Sequence, residues 1–542
     1  MVLYLIGKEK RSMRKSILLF VLIICSGVVL GQKEDTFEKD LQRVQEVFSY
    51  VNMLYVDSVP TKKLSEAAIV AMLEELDPHS TYVPAEEVES ANERINGSFV
   101  GVGIRFNILK DTLLVVNTIP GGPSEIVGIR AGDKILEVDG EKIAGIGLKN
   151  SGVRKRLLGE EGSIVKITIL RGKEKVSYMV TRDKIPVHSV ITKYMIDDKV
   201  GYIKLTNFSR TTEEEVATAI KELKKEGMKD LIFDLQGNGG GLLSAAKSVA
   251  DEFIKDNKLI VYSEGRVQPR YDLKADKKGD FEKGRLVILI DENAASASEI
   301  VAGAVQDWDR GLLVGRRTFG KGLVQRPVNL SDGSQIRLTI ARYFTPSGRW
   351  IQKPYDDFDE YKKDYINRYE HGEMMHEDSI HFADSLMYKT LVTKRKVYGG
   401  GGIMPDIFVP LDTTEYSEYY RNLVRQGVLY SFAIDYTNNN RDEIKSKYPT
   451  IEDFNKNFTV SDDIMDELFN YANREDSTLV FIEEDYKISK DVITTRIKAN
   501  IAQNIWDIGA FYQVYNIKNE IITRAYNALK DGTYDKEKLN HK

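Results

Sequence analysis

Strand-like and helix-like segments alternate between about residues 201 and 308, and this alternation constrains the fold more than any other feature of the chain. Short apolar runs rich in β-branched residues end at Leu205, Leu235 and Ile290. Segments with apolar residues at helical spacing follow each of them. Such alternation predicts an α/β layer architecture whose strand-end loops carry the chemistry. We therefore expect an enzyme core in this region.

Segments of different texture flank this core. Glycine turns separate short β-like runs after Gly97, and the sequence beyond Pro410 has helical spacing throughout. A Tyr- and acid-rich insertion interrupts the core, and we expect it to be solvated and flexible. The predicted segments are a signal peptide (1–31), an N-terminal helical segment (32–96), a β-rich module (97–182), the α/β core (183–411, with the insertion 354–397) and a C-terminal helical extension (412–542).

Composition excludes several classes of function. The chain has 542 residues, and 77 Lys plus Arg against 82 Asp plus Glu leave a net charge of −5. Because no basic stripe stands out, we expect no nucleic-acid partner. Cys25 is the only cysteine, which excludes a disulfide framework and a thiolate zinc cluster. The histidines and glutamates between residues 371 and 381 do not have the spacing of a helical ligand face, so we expect no metal and no cofactor.

The N-terminus predicts export. Basic residues up to Lys15 precede an uncharged, mostly apolar run over residues 17–30, with Met13 as a plausible true start. This is the layout of a cleaved secretory signal peptide and predicts a periplasmic protein. An uncleaved membrane anchor remains an alternative. A lipoprotein anchored at Cys25 is another, although Ile24 stands where a small residue is expected.

A candidate nucleophile follows the third apolar run. Ser296 stands between a strand that ends near Asp291 and the start of a helix. Free backbone N–H groups and the helix dipole favour a developing negative charge at such a position. A plain N-cap serine is equally compatible with this position.

A candidate base lies 25 positions further along the chain. None of the six histidines lies in the strand-loop-helix units, and no G-x-S-x-G elbow is present. Lys321 is the natural substitute, provided that burial lowers its pKa enough to leave the amine neutral. Gln325 can hold that amine without adding a carboxylate that would raise the pKa again.

Three further motifs have alternatives. The glycine-rich loop after Asp234, residues 235–241, can cradle an oxyanion or form a tight turn. The run from Gly315 to Gly322 nearly matches a P-loop, but Gly322 replaces the magnesium-binding hydroxyl residue. Ser244 and Lys247 fit the S-x-x-K of penicillin-recognising enzymes, yet the companion S-D-N and K-T-G motifs are absent.

The irregular run from Gly121 to Gly140 resembles the core of a PDZ domain, and the order of all these motifs resembles the carboxyl-terminal processing (tail-specific) serine peptidases. The resemblance covers about residues 35–350 and 401–410. The motifs that carry it are L-D-P-H-S-T-Y (76–82), D-L-x-x-N-x-G-G, S-A-S-E-I, F-G-K-G-x-x-Q, T-P-S-G-R (345–349) and G-I-M-P-D (402–406). It implies a Clp protease/crotonase-like α/β peptidase core with an inserted PDZ domain.

By that resemblance Ser296 is the nucleophile, Lys321 the general base and Gln325 its orienting partner. The oxyanion hole would use the amides of Ala297 and Gly240, the latter favoured over Gly239 and Gly241. The family often has serine at Ala294 and arginine at Gln236, and the second change leaves the anchoring of the loop open.

The PDZ domain is expected to bind the C-terminus of a protein or peptide substrate. Its carboxylate-binding loop would be formed by Val100, Gly101, Val102 and Gly103. In the family such a domain can gate the active site as well as recruit substrate. The resemblance thus predicts an exported serine endopeptidase of the Ser-Lys type, able to self-associate and open to an unknown adaptor. The alternatives are a non-catalytic PDZ or ligand-binding protein on the same core, and penicillin-type chemistry at Ser244.

Overall fold

The structure is a computed structural model that describes residues 36–109, 111–475, 479–537 and 539. The predicted signal peptide, with Cys25, lies outside these residues. The chain divides into two units between Leu76 and Asp77. The described part of the first unit consists of two helices, residues 36–54 and Thr61–Glu74, as the helical spacing predicts. Among the described residues, no helix has both the length and the apolar character that crossing a bilayer requires.

The centre of the second unit is a six-stranded sheet. Its first two strands are antiparallel, and the others run parallel to the second. The middle strands are buried along their whole length, which explains their uninterrupted apolar sequence. In spatial order the strands are Val190–Met195, Val200–Leu205, Asp230–Asp234, Leu286–Ile290, Leu312–Gly315 and Ile407–Phe408.

Three helices pack against this sheet through the largest apolar core of the second unit. They are Thr212–Lys225, Leu243–Asp251 and Ala297–Asp307. Each strand or helix predicted from the alternation occurs within a few residues of its expected position. The α/β core predicted from the sequence is therefore confirmed.

A second, antiparallel sheet closes the other side of the candidate site. The hairpin Leu323–Asn329 and Gln335–Phe344 turns at residues 330–334, and Thr81–Val83 pairs with its long strand. On the far side lie Leu259–Glu264 and Tyr271–Lys274, strands that the sequence pattern did not indicate. This arrangement brings the segment around His79 against the strand that carries Gln325.

The β-rich module is a small barrel-like domain with its own apolar core. Strand Ser98–Gly101 enters it and strand Asp183–Pro186 leaves it, and the two pair antiparallel. Strand Ile104–Leu109 lies at the edge of the main sheet. The other strands are Thr112–Thr118, Lys134–Val138, Glu141–Lys142, Ile164–Arg171 and Glu174–Thr181, and the helices are Pro123–Ile126 and Asn150–Leu157.

The C-terminal extension is helical, as predicted. Its helices up to residue 515 share one apolar core, whereas the last two pack against the central sheet. The helices are Glu418–Arg425, Val428–Lys447, Ile451–Asn457, Asp462–Glu475, Glu483–Ile505, Ile508–Tyr515, Glu520–Lys530 and Thr533–Lys536. One of them reaches the β-rich module: Ile434 packs with Leu114 and Val116 in a small separate cluster.

The insertion is less solvated than expected, because several of its side chains are buried. Residues 354–397 contain the helix Phe358–Glu370 and the short hairpin Met387–Lys389 with Lys396–Tyr398. Tyr361 is buried, and the buried Arg368 donates to the carbonyl oxygens of Arg317 and Thr318 at 2.6 and 3.2 Å. The polar composition suggested solvent exposure, but charged side chains of the insertion donate hydrogen bonds to buried backbone carbonyls rather than to water.

Candidate active site

Ser296 lies at the start of the buried helix Ala297–Asp307, directly after the turn that follows strand Leu286–Ile290. Its backbone has φ +55°, a region that a residue with a side chain adopts only when the surroundings enforce it. The next residue, Ala297, occupies the first helical position, where an amide has no intrahelical acceptor. The hydroxyl and a free helical amide therefore stand side by side.

Lys321 follows the turn after strand Leu312–Gly315, and its amine has a neutral partner. Lys321 Nζ donates to Gln325 Oε1 at 2.8 Å, and Gln325 Nε2 donates in turn to the carbonyl of His79. Burial lowers the pKa of Lys321 below its usual value, against the opposing effect of the carboxylates of Asp77 and Glu299. The amine is thus held by an amide in surroundings that favour its neutral form.

Glu299 joins the nucleophile segment to the base segment. Its buried carboxylate accepts hydrogen bonds from the amides of Ser296 at 2.8 Å, Gly320 at 2.7 Å and Lys321 at 2.9 Å, and from Thr318 Oγ1 at 2.5 Å. Burial raises the pKa of Glu299 to about 7, although these four donors stabilise its ionised form. One side chain therefore fixes the backbone at both Ser296 and Lys321.

A cavity of about 520 Å³ opens at this point, and Ser296, Lys321 and Gln325 all line it. In the part of the chain that the structure describes, the amine donates to Gln325 and makes no hydrogen bond to Ser296. The apolar side chains at the cavity wall are Ile95, Leu242, Leu243, Ile300, Leu323, Val324 and Tyr343.

The glycine-rich loop lies against the nucleophile. Gly240 has φ +102°, and a Cβ there would come within 2.9 Å of the Ser296 Cβ and 3.0 Å of the Ala297 nitrogen. Only glycine allows this approach. The Gly240 amide donates to Asn238 Oδ1 at 2.9 Å, whereas Gly239 and Gly241 line the cavity. The choice of Gly240 for an oxyanion hole stays a prediction, and it requires the amide to exchange that partner.

Two buried side chains hold the loop against the segment that carries Ser296. Asp291 Oδ1 accepts the amides of Gly237 and Ala294 at 2.9 and 3.0 Å. The carbonyl of Asn238 accepts Ser298 Oγ at 2.8 Å. Because these bonds cross between the two segments, loop and helix start move together.

Sequence reasoning missed Glu299, Asp291 and Ser298 as parts of the site. A signal was present for Glu299, because a glutamate three residues after a serine at a helix start has capping-box spacing. For Asp291 and Ser298 the local sequence gave no such signal, since their partners come from another loop. His79 belonged to a quoted motif, but its role as the acceptor for Gln325 depends on the second sheet.

The predicted PDZ residues lie in the β-rich module, away from the cavity. Val100 and Gly101 belong to strand Ser98–Gly101, and the buried Val102 and Gly103 connect it to the edge strand. The carbonyls of Val102 and Gly103 accept the amides of Ser124 and Ile119 at 3.0 and 2.9 Å, which fixes this loop. The structure therefore keeps the tail-binding candidates and the reacting candidates in two separate places.

The competing motifs lack the required chemistry. Lys247 forms ion pairs with Asp251, at 2.7 Å, and with Asp276. Although burial lowers the pKa of Lys247, its two carboxylate partners raise it further, so this amine cannot serve Ser244 as a base. Among the described residues, no group of three or more His, Cys, Asp or Glu side chains is arranged to hold a metal ion.

Comparison with known families gives four matches along the chain. The model for peptidase family S41 matches residues 199–359, and the PDZ domain model matches residues 100–181. The model for the activating protease CtpB N-terminal domain matches residues 28–87, and that of a family of unknown function matches residues 419–507. The predicted domain boundaries themselves remain predictions.

The chain matches two thirds or more of the length of these curated relatives. The carboxy-terminal processing protease CtpA of Bacillus subtilis is 33% identical over 358 residues, which are 63% of this chain and 76% of that protein. A probable CtpA-like serine protease of Staphylococcus aureus is 34% identical over 337 residues, 61% of this chain and 67% of that protein. Among solved structures, the photosystem II D1 C-terminal processing protease is 28% identical with a TM-score of 0.35, covering 68% of this chain and 92% of that one.

Fold, motifs and relatives together define a serine peptidase that carries a PDZ domain. The chain belongs to the carboxy-terminal processing proteases of peptidase family S41. The predicted family, fold class and peptidase activity are thereby confirmed, and the substrates are peptides. The alternative of a non-catalytic binding protein finds no support among these relatives.

Proposed function

We propose that this peptidase cleaves its substrates through an acyl-enzyme made by Ser296, with Lys321 as the general base. The observation that carries the proposal is the half-buried Lys321, which shares a cavity with Ser296 and has the neutral Gln325 as the partner of its amine. A neutral amine has one lone pair. Its N–H bond to Gln325 Oε1 leaves that lone pair available for a proton from Ser296.

In the first step Lys321 takes the Ser296 proton while Oγ forms a bond to the carbonyl carbon of the substrate. The negative charge on the carbonyl oxygen is stabilised by the Ala297 amide and by an amide of the glycine-rich loop, for which we retain Gly240. When the C–N bond breaks, protonated Lys321 returns the proton to the leaving amine. Water then attacks the ester with Lys321 again as base, which releases the second product and restores Ser296.

The test replaces each reacting group in the full-length protein. Ser296→Ala and Lys321→Ala are each expected to lower kcat by about 10³-fold or more on a peptide with an apolar, free C-terminal tail. Ser244→Ala is the matched control and keeps wild-type activity. Hydrolysis by Ser296→Ala at the wild-type rate would refute the assignment, and loss of activity in Ser244→Ala alone would favour penicillin-type chemistry.

We further propose that the PDZ domain binds the substrate by its terminal carboxylate at residues 100–103. An extended tail would pair with the edge strand Ile104–Leu109, and backbone amides of the preceding loop would bind the carboxylate. Amidation of the peptide C-terminus is expected to raise KM by about tenfold and leave kcat unchanged. Equal KM values for the acid and the amide would contradict tail recognition without affecting the Ser296 assignment.

Export to the periplasm is a separate proposal that rests on the sequence of residues 1–31. Fractionation of cells that express the full chain, followed by N-terminal sequencing, tests it. A mature protein that begins near residue 32 in the exported fraction supports cleavage. A full-length chain in the membrane fraction supports an anchor, and a chain lipidated at Cys25 supports a lipoprotein.

A further inference from the structure

The C-terminal extension covers the face of the central sheet opposite the core helices. Ile521, Ile522 and Ala525 of the helix Glu520–Lys530 are buried against apolar side chains of the sheet, including Tyr202 and Leu289. This face would otherwise expose a large apolar area to water. The extension is therefore an integral layer of the peptidase and lies directly behind the strands that lead into the active site.

A buried ion pair stands where one of these strands ends. Lys204 Nζ donates to Asp234 Oδ2 at 2.9 Å, and both side chains are at most 7% exposed. The pair also binds the backbone of Gln236. Lys204 Nζ donates to the Gln236 carbonyl at 3.1 Å, and Asp234 Oδ1 accepts the backbone amide of Gln236 at 2.8 Å. Gln236 is the second residue of the glycine-rich loop.

The extension contacts this ion pair and the adjoining loop at three points. The ring of Tyr512 lies 5.2 Å from Lys204 Nζ, within cation–π range. Asn516 Nδ2 donates to Tyr194 at 3.0 Å, and the Tyr194 ring packs against Tyr202 with centroids 5.0 Å apart. Tyr202 in turn donates its hydroxyl to Asp234 Oδ2 at 2.5 Å.

The third point is the loop itself. Asn519 Nδ2 lies 3.4 Å from Gln236 Oε1, and the side-chain nitrogen Nε2 of Gln236 is buried without a hydrogen-bond partner among the described residues. The resemblance expects an arginine at position 236. In this chain the position is occupied by Gln236, whose side chain faces the C-terminal extension. Since Asn238, Gly239 and Gly240 follow within four residues, a shift at Gln236 displaces the amides beside Ser296.

We propose that the C-terminal extension positions the glycine-rich loop for catalysis, with Tyr512 and Asn519 acting on it through Lys204 and Gln236. These are positioning residues, since none of them lines the cavity at Ser296. The extension excludes water from the Lys204–Asp234 pair, which strengthens the attraction that holds the loop backbone. The proposal rests on the proposed function, because it assigns the loop to the oxyanion hole.

Two variants of the full-length protein weaken the contacts without touching the reacting groups. Tyr512→Leu removes the aromatic face, and Tyr512→Phe keeps it. Asn519→Ser removes the amide that reaches Gln236 but still caps the next helix, where the Asn519 side chain accepts the amide of Ile522. Asn455→Ser is the matched control, because Asn455 Nδ2 donates over the same 3.4 Å to Gln513, inside the extension.

Tyr512→Leu is expected to lower kcat by about tenfold and Asn519→Ser by about threefold, with KM within twofold of wild type. Tyr512→Phe and Asn455→Ser keep the wild-type kcat. A peptide boronic acid, which forms a tetrahedral adduct with a serine, is expected to lose affinity in proportion to kcat. Binding of an uncleaved peptide stays unchanged, which a merely structural loss of stability would not produce.

Wild-type kcat in both Tyr512→Leu and Asn519→Ser would overturn the proposal, and so would an equal loss in Asn455→Ser. Unchanged boronic acid affinity in a variant with lowered kcat would also overturn it. In all these outcomes Ser296→Ala is inactive, so the proposed function stands. Activity that survives Ser296→Ala overturns the proposed function itself.

Discussion

Two lysines lie beside the candidate active site, and their partners differ. Lys204 contacts the carboxylate of Asp234 at 2.9 Å, whereas Lys321 contacts the amide of Gln325 at 2.8 Å. Lys204 is buried, and Lys321 is half-buried at the wall of the cavity. The comparison shows that the partner determines what a lysine in such a place can do. A carboxylate partner forms an ion pair that stabilises the nearby backbone, whereas an amide partner leaves the amine able to accept a proton.

The largest expected effect comes from making the Lys204 region resemble the Lys321 region. Asp234→Asn replaces the carboxylate with an amide and leaves a buried cation without its counter-charge. The free energy of unfolding is expected to fall by about 3–5 kcal/mol, measured by urea denaturation. Asp272→Asn breaks the exposed pair with Arg270 and is expected to cost about 0–1 kcal/mol. Equal losses in the two variants would remove the basis of the comparison.

The reverse exchange is Gln325→Glu, which gives Lys321 the kind of partner that Lys204 has. A carboxylate at hydrogen-bond distance raises the pKa of Lys321 by about one to three units. Activity needs the neutral amine, so kcat/KM at pH 7 is expected to fall by about 10- to 10³-fold. The loss is regained as the pH rises through the new pKa, and a pH–rate profile measures this shift.

A control is needed because Glu299, with a pKa of about 7, also ionises as the pH rises through the same range. Its four donors require the carboxylate form, so protonation of Glu299 lowers activity on the acid side as well. Gln325→Met removes the amide without adding charge and should leave the acid limb at or below its wild-type position. An upward shift in Gln325→Met equal to that in Gln325→Glu would show that charge is not the cause.

The smallest expected effect concerns the support that the insertion gives to Lys321 and Gln325. The Tyr361 hydroxyl lies 2.7 Å from His79 Nε2, and the His79 carbonyl accepts Gln325 Nε2. Burial is the main cause that lowers the pKa of His79 to about 4, so this imidazole is neutral at pH 7. Tyr361→Phe is expected to cost about 1 kcal/mol, or fivefold in kcat, with no new limb near pH 6.5.

Tyr365→Phe, on an exposed part of the same helix, is the control for this variant and keeps the wild-type kcat. The measurement is steady-state kinetics over a range of pH. Wild-type kcat in Tyr361→Phe would show that the insertion does not support Lys321 and Gln325. A loss much greater than fivefold would give the insertion a larger share of the support than the structure indicates.

Much of the core was predictable because its signals are local. A strand buried on both faces needs an uninterrupted apolar run, so Asp230–Asp234 and Leu286–Ile290 were found close to their true bounds. Ser296, Lys321 and Gln325 were singled out because they follow strand ends, and the resemblance supplied their roles, which stay predictions. The strand-end position follows from backbone geometry and needs no knowledge of distant residues.

The insertion and the extension were not predictable in the same way. Residues 354–397 are polar, yet Tyr361 and Arg368 are buried. Tyr361 contacts His79, which lies 282 positions away along the chain. The contact of Tyr512 with Lys204 spans an even longer stretch of chain. No local pattern encodes which distant partner a polar side chain will meet.

The sequence by itself determined the α/β core, the PDZ module and the family, since each depends on short-range spacing of residue types; it also proposed Ser296 and Lys321 as the reacting pair. Only the tertiary structure decided that Glu299 bridges Ser296 and Lys321, that Gly240 has its amide on Asn238, and that the extension closes behind the glycine-rich loop. The physical reason is that hydrogen-bond partners and burial are set by packing between segments far apart in the chain.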